Sequence, residues 1–481
     1  MNELLSKARI LRDKNFDGKF FFGVQTTGIF CRPSCSSRVA KEENVQYFNT
    51  VFDALDNGFR PCLRCRPDIA TDYYNGNPSG TLVVKEALEM IYDGYLHEHS
   101  IQDLASSLSL SGRHLRKLFI DNLGLSPGKI DRYHKVLFAK KMLLYSEKSI
   151  TDVAFASGFG SLRQFNDVFK ATFATPPSAL RSKAKDTKNR GASLRINYKK
   201  PFDFDSILSF LRKRAIKGVE NVTTSSYSRT FRTESSSGFF VVANNSKDGC
   251  LELTIDASDL RCYMTIYNRV RKMFDVDTDF SAINARFSTD KHLSTGMVDG
   301  HVPRLPVAFD PFEAVVRAIL GQQISVQAAT TLVGRIVHEA SIETTSEFPS
   351  GLDYFFPFSD ELMGLEIGDI GITKTRQETL KTVTRAVLDK VIDISINQSF
   401  ETFQSKFTAL KGIGDWTAHY VAMRGLGMMD CFPYNDLVVI KALTINDTLP
   451  SKNEILERGE LWRPYRTYAT LCLWNSLKKK E

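Results

Sequence analysis

The spacing of hydrophobic and polar residues changes several times along the chain. Residues 82–181 carry apolar side chains at positions i, i+3 and i+4, which is the period of amphipathic helices. Further on, the apolar runs 239–243 and 250–255 are separated by NNSKDG, a spacing that predicts a β-hairpin. From about residue 310 the pattern is mostly helical again. The pattern therefore predicts helical parts and a mixed α+β part in one long chain.

Two polar segments separate these parts. TDYYNGNPSG (71–80) consists largely of turn-forming residues, and SKAKDTKNRGAS (182–193) is polar and basic, so both predict linkers. A chain of 481 residues is also too long for one hydrophobic core. We expect a multidomain protein with a small α+β domain, an all-α domain, and an α+β domain in which an N-terminal antiparallel sheet precedes a mostly helical core. The predicted divisions are 1–75, 82–181, the linker 182–193, 194–300 and 301–481.

The net charge of +8 is unevenly distributed. Residues 1–193 contain 28 Lys+Arg and 20 Asp+Glu, which gives +8, whereas residues 194–481 contain 35 of each, which gives 0. An excess of Lys and Arg is commonly associated with binding to phosphate groups. We therefore expect contacts with nucleic acid in the first two-fifths of the chain.

The hydropathy pattern predicts neither a membrane segment nor export. No apolar run reaches the ~20 residues that a membrane-spanning helix needs. The first residues, MNELLSKARILRDKN, lack the apolar stretch of a signal peptide. We therefore expect a cytoplasmic protein that does not bind membranes.

Four of the eight cysteines lie close together in the sequence. Cys31 and Cys35 form a C-x3-C pair, and Cys62 and Cys65 form a C-x2-C pair. A disulfide framework is not expected in a chain of this size without an export signal. Paired cysteines at short spacing are typical of one tetrahedral Zn²⁺ site with four thiolates, and four metal-free thiols are the alternative. The other cysteines are expected to be small buried side chains: Cys250, Cys262, Cys431 and Cys472.

Residues 82–181 contain two helix-turn-helix patterns. The first is IQDLASSLSLSGRHLRKLF, and the second is ITDVAFASGFGSLRQFNDVFK. Two such units in tandem, joined by a helix with KVLFAKKMLL, resemble the AraC-type DNA-binding domain, and a plain helical bundle is the alternative. The expected helix-capping residues are Ser100, Ser111 and Ser149. The residues expected to face the major groove are Arg113, His114, Arg116 and Lys117 in the first unit, and Arg163, Gln164, Asn166 and Lys170 in the second.

The first segment resembles the N-terminal domain of the Ada adaptive-response protein. The matching stretches are DGKFFFGVQTTGIFCRPSC, ENVQYF and ALDNGFRPCLRCRPD. The resemblance implies that Cys31, Cys35, Cys62 and Cys65 bind Zn²⁺, and that Cys31 accepts a methyl group from a methylphosphotriester in DNA. The PCHR motif of the second Ada methyltransferase domain is absent from the sequence. Direct reversal of O6-alkylguanine damage is therefore not expected.

Methyl transfer to Cys31 has an electrostatic consequence. It converts a thiolate, which Zn²⁺ keeps deprotonated, into a neutral thioether. One negative charge is then lost beside DNA phosphates, which is a physical basis for a switch from weak to tight binding. Arg38 and Arg64 are the expected phosphate contacts of this domain. A purely structural zinc site is the alternative.

From about residue 194 to the end, the chain resembles 3-methyladenine DNA glycosylase II, the AlkA type. The matching stretches are LRKRAIKGVENV, RVRKMFDVD, RAILGQQISVQAA, LKGIGDWTAHYVAMRGLG, FPYNDLVVIKAL and RPYRTYATLCLW. LKGIG is a helix-hairpin-helix turn, whose glycines let backbone N–H groups approach a DNA phosphate. The resemblance also implies a monovalent cation at this hairpin. The expected phosphate contacts are Gly412, Ile413, Gly414 and Thr417.

Asp436, 22 residues after Gly414, is the predicted catalytic residue. Excision of a base places positive charge on the sugar, and a carboxylate stabilises that charge or orients a water. The alternative is that the same residue caps the N-terminus of a helix, and the two roles are compatible. Trp416 stands where bifunctional relatives have a lysine that attacks the sugar. We therefore expect a monofunctional glycosylase, which forms no Schiff base at this position.

The expected base pocket contains Trp416, Tyr420, Trp474 and Gln322. Alkylation at N3 or N7 makes a purine cationic, and an aromatic slot attracts such a base by ~1–2 kcal/mol. A strongly basic pocket would be the wrong environment for such a base. Core packing is the alternative role for the aromatic residues. Gln323 stands where a relative has an apolar wedge that fills the space of the flipped base.

Together these features predict a bacterial, nucleoid-associated repair protein. The expected function is excision of alkylated purines by a glycosylase fused to a methylphosphotriester sensor and a transcriptional activator. The competing hypothesis is a DNA-binding regulator in which the glycosylase fold is only a DNA clamp. The expected partners of this monomer are alkylated DNA, promoter DNA and RNA polymerase.

Overall fold

The computed structural model describes most of the chain in two compact units. The described residues are 2–62, 64, 65, 67, 82–97, 99–185, 193–198, 200–367, 371–395, 398–444 and 448–478. The first unit consists of Met1–Asn197 and Cys250–Asn268, and the second of Tyr198–Gly249 and Arg269–Glu481. Among these described residues, no helix has both the length and the hydropathy needed to cross a membrane.

The beginning of the first unit is a small α+β domain. Its four-stranded sheet has the order β3-β1-β2-β4, in which β1 pairs antiparallel with β2 and β3, while β2 pairs parallel with β4. A Thr50–Asp53 capping box begins the second helix. The elements are α1 Asn2–Ile10, β1 Phe21–Val24, β2 Ile29–Cys31, β3 Val45–Phe48, α2 Val51–Asp56 and β4 Arg60–Pro61. This confirms the predicted small α+β fold.

Seven α-helices follow among the described residues between 82 and 185. Ser100, Ser111 and Ser149 each cap a helix N-terminus, as predicted. Gly158 has a φ of +77°, and a Cβ at this position would lie 2.4 Å from His97 Nε2, so the second turn requires glycine. The helices are α3 Leu82–Tyr92, α4 Ile101–Ser107, α5 Gly112–Leu123, α6 Pro127–Tyr145, α7 Ile150–Ala156, α8 Leu162–Phe173 and α9 Pro177–Lys185.

Strands and one helix occupy the chain from residue 194 to 257. In chain order they are β5 Leu194–Asn197, α10 Phe204–Arg212, β6 Glu220–Val222, β7 Ser226–Arg232, β8 Ser237–Asn245 and β9 Cys250–Ala257. In the second unit, β6, β7 and β8 form an antiparallel meander. In the first unit, β5 and β9 pair antiparallel. Both segments of the predicted hairpin are strands, and Gly249 N donates to Asn245 O in the turn that follows β8.

The remaining elements of the described chain are helical, as the periodicity predicts. They are α11 Tyr263–Met273, α12 Phe280–Phe287, α13 Pro311–Leu320, α14 Val326–Ala340, α15 Ser359–Gly364, α16 Lys374–Leu388, α17 Phe400–Thr408, α18 Asp415–Arg424, α19 Leu437–Leu443, α20 Lys452–Glu460 and α21 Arg466–Lys478. A core cluster joins α13, α14, α16, α17 and α18. A second cluster joins α12, α19, α20 and α21.

The predicted divisions differ from the compact units in two respects. The division predicted at 194–300 is shared between the two units, because β5, β9 and the start of α11 pack with the first. Helix α9 continues to Lys185, four residues into the predicted linker 182–193. Residues 186–192 of that linker, and the whole of the predicted linker 71–80, lie outside the described residues.

A buried ionic network ties the meander to α13 within the second unit. Glu313 receives hydrogen bonds from Arg229 Nη2 at 2.7 Å and from Arg317 Nε at 2.8 Å. Arg317 Nη2 also contacts Glu220 Oε2 at 2.6 Å. Although burial raises the pKa of Glu313, the charges of Arg229 and Arg317 outweigh it and lower that pKa to about 2. The carboxylate is therefore charged and paired at neutral pH.

We expect Glu313→Gln to lower the free energy of unfolding of the second unit by about 3–5 kcal/mol, since it leaves buried arginine charge uncompensated. Urea denaturation followed by tryptophan fluorescence reports on this unit alone, because the three tryptophans, Trp416, Trp462 and Trp474, all lie in it. The exposed Glu347→Gln is the matched control. A loss below about 1 kcal/mol in Glu313→Gln would contradict the prediction.

Candidate functional site

The helix-hairpin-helix turn lies between α17 and α18. Gly412 has a φ of +90°, and a Cβ there would lie 2.1 Å from Thr379 Oγ1, so this position requires glycine. Gly414 is the N-cap of α18, and a Cβ there would have open space. The turn therefore exposes backbone N–H groups at the start of a ten-residue helix.

Two of the predicted phosphate contacts have other partners. The Ile413 N–H donates to Leu410 O at 3.1 Å within the turn. Thr417 is only 3% exposed, and its Oγ1 accepts from Gln322 Nε2 at 3.1 Å. The Thr417 hydroxyl is therefore buried under the hairpin, and the predicted phosphate contact of this residue stays a prediction.

Asp436 lies at the N-terminus of α19 and is 9% exposed. Its Oδ1 accepts from the backbone N–H groups of Val438 and Val439 at 2.9 and 3.1 Å, so the residue is an N-cap. The same Oδ1 accepts from Trp474 Nε1 at 3.0 Å, and Oδ2 accepts from Trp416 Nε1 at 2.7 Å. Four N–H donors therefore fix the orientation of this carboxylate.

The predicted aromatic residues come together beside Asp436. Trp416 and Tyr420 stack with ring centroids 5.0 Å apart and planes at 16°. Trp474 lies 6.5 Å from Tyr420 at an interplanar angle of 40°. Trp416 and Tyr420 are spaced as i and i+4 on α18, which puts them on one face of the helix. All three are partly exposed, so they form an accessible aromatic wall and are not merely core.

A cavity of about 600 Å³ in the second unit adjoins this wall, and Trp474 lines it. The guanidinium of Arg424 lies 5.8 Å from the Trp474 ring centroid and 4.4 Å from that of Phe210. Burial lowers the pKa of Arg424 to about 10, so the group stays cationic at neutral pH. The other charged residues of the lining are Asp203, Lys213, Arg214, Asp299 and Arg304.

This lining therefore places four cationic side chains and two carboxylates next to the aromatic wall. Arginine is tolerated there because its planar guanidinium stacks on aromatic rings, and because Arg424 Nη1 donates to Pro306 O at 3.0 Å. Sequence reasoning missed Phe210, Arg214 and Arg424 as lining residues. The signal available was that Phe210 and Arg214 lie in or next to the matched stretch LRKRAIKGVENV.

The loop between α13 and α14 holds the predicted wedge. Gln323 is exposed and has a φ of +56°, a left-handed conformation that is uncommon for a residue other than glycine. Gln322, predicted in the base pocket, donates from Nε2 to Gly412 O at 3.1 Å and to Thr417. Its carbonyl accepts from Arg376. Gln322 is thus held against the hairpin, beside the residue that points outward.

The four predicted metal ligands converge in the small α+β domain. The Sγ atoms of Cys31, Cys35, Cys62 and Cys65 all lie within 4.8 Å of one another, and all four residues are buried. Strand register explains part of this, because Cys31 and Cys62 each follow the paired residues Phe30 and Pro61 of β2 and β4. Sulfur atoms around one tetrahedral Zn²⁺ are about 3.8 Å apart for Zn–S bonds of about 2.3 Å, so the cluster fits zinc.

Four thiolates this close together would repel one another, so a bound cation would favour their ionised form. The pKa of Cys31 is raised by hydrogen bonds with the other three thiols and by burial, whereas the hydrogen bond with Cys31 lowers the pKa of Cys62 to about 6. Not all four groups therefore ionise together without a compensating charge. Exposure does not distinguish Cys31, which is 3% exposed against 8% for Cys62.

The predicted DNA-contacting residues of the first unit are all exposed. Helices α5 and α8 bury apolar residues such as Phe119 and Phe169 and turn their polar faces to solvent. The exposed predicted residues are Arg38 and Arg64 near the cysteines, Arg113, His114, Arg116 and Lys117 on α5, and Arg163, Gln164, Asn166 and Lys170 on α8. Each is therefore available to a phosphate or base edge.

Comparison with known families matches three parts of the chain. The metal binding domain of Ada matches residues 5–68, a helix-turn-helix domain matches residues 104–183, and the AlkA N-terminal domain matches residues 193–310. These matches follow the order predicted from the sequence, and they bear out the resemblances on which that order rests.

Individual relatives cover nearly the whole chain or one part of it. A probable bifunctional transcriptional activator/DNA repair enzyme AlkA of Mycobacterium tuberculosis is 32% identical over 476 residues, covering 97% of this chain and 95% of the relative. DNA-3-methyladenine glycosylase 2 of Escherichia coli is 27% identical, covering 58% and 95%. The bifunctional transcriptional activator/DNA repair enzyme AdaA of Bacillus subtilis is 32% identical, covering 38% and 85%. The chain therefore belongs to the family of bifunctional transcriptional activator/DNA repair enzymes that join Ada-type regulator domains to an AlkA-type DNA glycosylase.

Proposed function

We propose that this glycosylase excises purines of the 3-methyladenine and 7-methylguanine type from double-stranded DNA with Asp436 as its catalytic carboxylate. The observation that carries the proposal is the carboxylate held between the indole N–H groups of Trp416 and Trp474, at the edge of an accessible aromatic wall. A flipped base stacked on that wall would bring its sugar beside the carboxylate.

The two carboxylate oxygens of Asp436 have different roles in this proposal. Oδ1 accepts three N–H groups, whereas Oδ2 accepts only from Trp416 among the described residues, and so keeps acceptor capacity for the reaction. As the C1′–N bond breaks, its electron pair leaves with the base and the sugar becomes positive. Oδ2 then stabilises that charge or accepts a proton from the water that adds to C1′.

Recognition of the base follows from the aromatic residues and the arginines together. Arg424 already covers one aromatic partner, Trp474, so attraction of a cationic base depends on the stacked pair Trp416 and Tyr420. A cationic purine is also the better leaving group, so reactivity contributes to selection independently of the pocket.

We assign DNA binding to the hairpin and to the loop before α14. Gly412 and Gly414 let a phosphate approach the N-terminus of α18, and the hairpin carbonyls would hold a monovalent cation that adds positive charge there. Gln323, exposed in a strained backbone conformation, would enter the space left by the flipped base and hydrogen-bond its orphaned partner.

Release of free base without strand cleavage tests this function. We expect the purified chain to release 3-methyladenine or 7-methylguanine from methylated DNA, leaving abasic sites, because Trp416 supplies no amine to attack the sugar. Borohydride should trap no covalent adduct, and strands should break only after alkali treatment. Trapping at a level comparable to a bifunctional glycosylase would contradict the monofunctional assignment.

A second function is favoured by the cysteine cluster. We propose that Cys31 accepts methyl groups from methylphosphotriesters: its Sγ bonds to the methyl carbon while the methyl C–O bond breaks, and the phosphodiester oxygen leaves with the electron pair. Bound Zn²⁺ would keep the thiols deprotonated. The exposed faces of α5 and α8 would then bind promoter DNA and, as an activator, the monomer would engage RNA polymerase.

The alternative, a regulator whose glycosylase fold only clamps DNA, predicts no base release at all. Retention of Asp436, the hairpin glycines and the aromatic wall supports the enzyme. The release assay therefore distinguishes the two hypotheses directly.

A further inference from the structure

Asp415, the first residue of α18, is bound to the loop that carries Asp436. Its Oδ2 accepts from the Tyr434 hydroxyl at 2.9 Å, and its Oδ1 accepts from Gln404 Nε2 of α17 at 2.9 Å. Tyr434 lies two residues before Asp436, and its ring is covered by Lys452 Nζ at 4.9 Å from the centroid. A charge-assisted hydrogen bond therefore joins the hairpin end of α18 to the catalytic loop.

A second bond from the same helix holds the start of this loop. The Phe432 N–H donates to His419 Nδ1 at 3.2 Å, and His419 is 6% exposed and stacks on Phe400 at 4.5 Å. Burial lowers the pKa of His419 to about 4, so the ring is neutral and can accept at neutral pH. Its ring also contacts Tyr434 edge to face at 6.4 Å.

Along α18, the residues that hold the loop and the residues of the aromatic wall lie on different faces of the helix. Asp415 and His419, at i and i+4, face the loop, while Trp416 and Tyr420 form the neighbouring aromatic face. One short helix thus carries the phosphate-facing turn, the aromatic wall and two attachments of the catalytic loop. Displacement of the loop relative to this helix would move the Asp436 carboxylate away from the wall.

We propose that Tyr434 and Asp415 are positioning residues, which set the place of the Asp436 carboxylate relative to the base bound on Trp416 and Tyr420. This inference rests on the proposed glycosylase function. The pair does not touch the reacting atoms. It acts by holding the loop. Within that loop the Asp436 N–H donates to Pro433 O at 2.9 Å, which closes a turn before α19. Misplacement of a reacting group by about 1 Å can cost about a hundredfold in rate.

Tyr434→Phe tests the pair, since it removes one hydroxyl and keeps the ring against Lys452 and His419. We expect the single-turnover rate of base release to fall about tenfold, with the Kd for DNA containing a non-cleavable abasic analogue changed less than about twofold. Tyr465→Phe, the same change elsewhere in this unit, should keep the wild-type rate. A merely structural bond would lower the melting temperature without this separation of rate and affinity.

Substitutions at Asp415 complete a double-mutant cycle. Asp415→Asn keeps an oxygen acceptor for Tyr434 and should retain the rate within about threefold, whereas Asp415→Ala should match Tyr434→Phe. The double variant Asp415→Ala/Tyr434→Phe should be no slower than either single variant. These measurements are made with the full chain below the unfolding temperature of every variant.

The outcomes separate the inference from the function beneath it. If wild type releases base and Tyr434→Phe and Asp415→Ala match its rate, the positioning role is overturned while the glycosylase assignment stands. Additive losses in the double variant also overturn it, because independent effects would then explain both. Absence of base release by wild type would overturn the proposed function and this inference together.

Discussion

Asp436→Asn should reduce the single-turnover rate of base excision by about a hundredfold to a thousandfold, the size expected when a preorganised electrostatic group is removed at the charge it stabilises. The amide oxygen can still accept from Val438 and Val439, so the N-cap of α19 survives. The amide NH₂, however, faces the Trp416 N–H instead of accepting from it. Neither negative charge nor a strong acceptor remains beside the sugar.

The measurement is release of 7-methylguanine from methylated duplex DNA, with DNA affinity measured in parallel. Affinity should stay within about threefold of wild type, because the hairpin and Gln323 are unchanged. Asp279→Asn is the matched control, since Asp279 caps α12 in the same unit through the Ser281 N–H. Excision at the wild-type rate by Asp436→Asn would refute the mechanism.

Cys31→Ser should abolish methyl acceptance by the small α+β domain, from one methyl group per chain to none. A serine hydroxyl stays protonated at neutral pH and is a weak nucleophile, whereas bound Zn²⁺ would keep the cysteine as a thiolate. Mass spectrometry of the peptide containing residue 31, after incubation with methylphosphotriester DNA, should show one added CH₂ in wild type only. Cys31→Ser should also abolish induction of a reporter by a methylating agent.

Cys35→Ser provides the comparison, because it removes another thiol of the same cluster while leaving Cys31 in place. Partial methylation at Cys31 in that variant would separate loss of the acceptor from loss of a metal ligand. Base excision by the second unit should be unaffected in both variants. Unchanged reporter induction in Cys31→Ser would reject the sensor role.

Local sequence patterns predicted the parts of the fold that depend on neighbouring residues. The helix starts after Ser100, Ser111 and Ser149 are confirmed, because a cap needs only a side-chain acceptor three residues before an N–H group. The boundaries between the parts of the chain depend on distant packing. Helix α9 runs past residue 181, and the chain from 194 to 300 contributes to both units.

The candidate sites divide in the same way. Cys31, Cys35, Cys62 and Cys65 could be predicted as one cluster from spacing, and the structure brings them together. The sequence could not predict that the Thr417 hydroxyl is buried or that a basic lining surrounds Arg424. Both depend on which helix covers which surface. No periodicity in the sequence reports such burial.

The sequence alone determined which chemistry this chain carries: four thiols for zinc, a tandem of helix-turn-helix units, a glycine hairpin and the Asp436 carboxylate after it. It did so because these motifs are short, and their residue types follow from local geometry. Only the tertiary structure decided how Asp436 is held. Residues 20 and 38 positions away, Trp416 and Trp474, reach its two oxygens because α18 and α21 pack around the start of α19. Hydrogen bonds between residues so distant in sequence depend on the folded core.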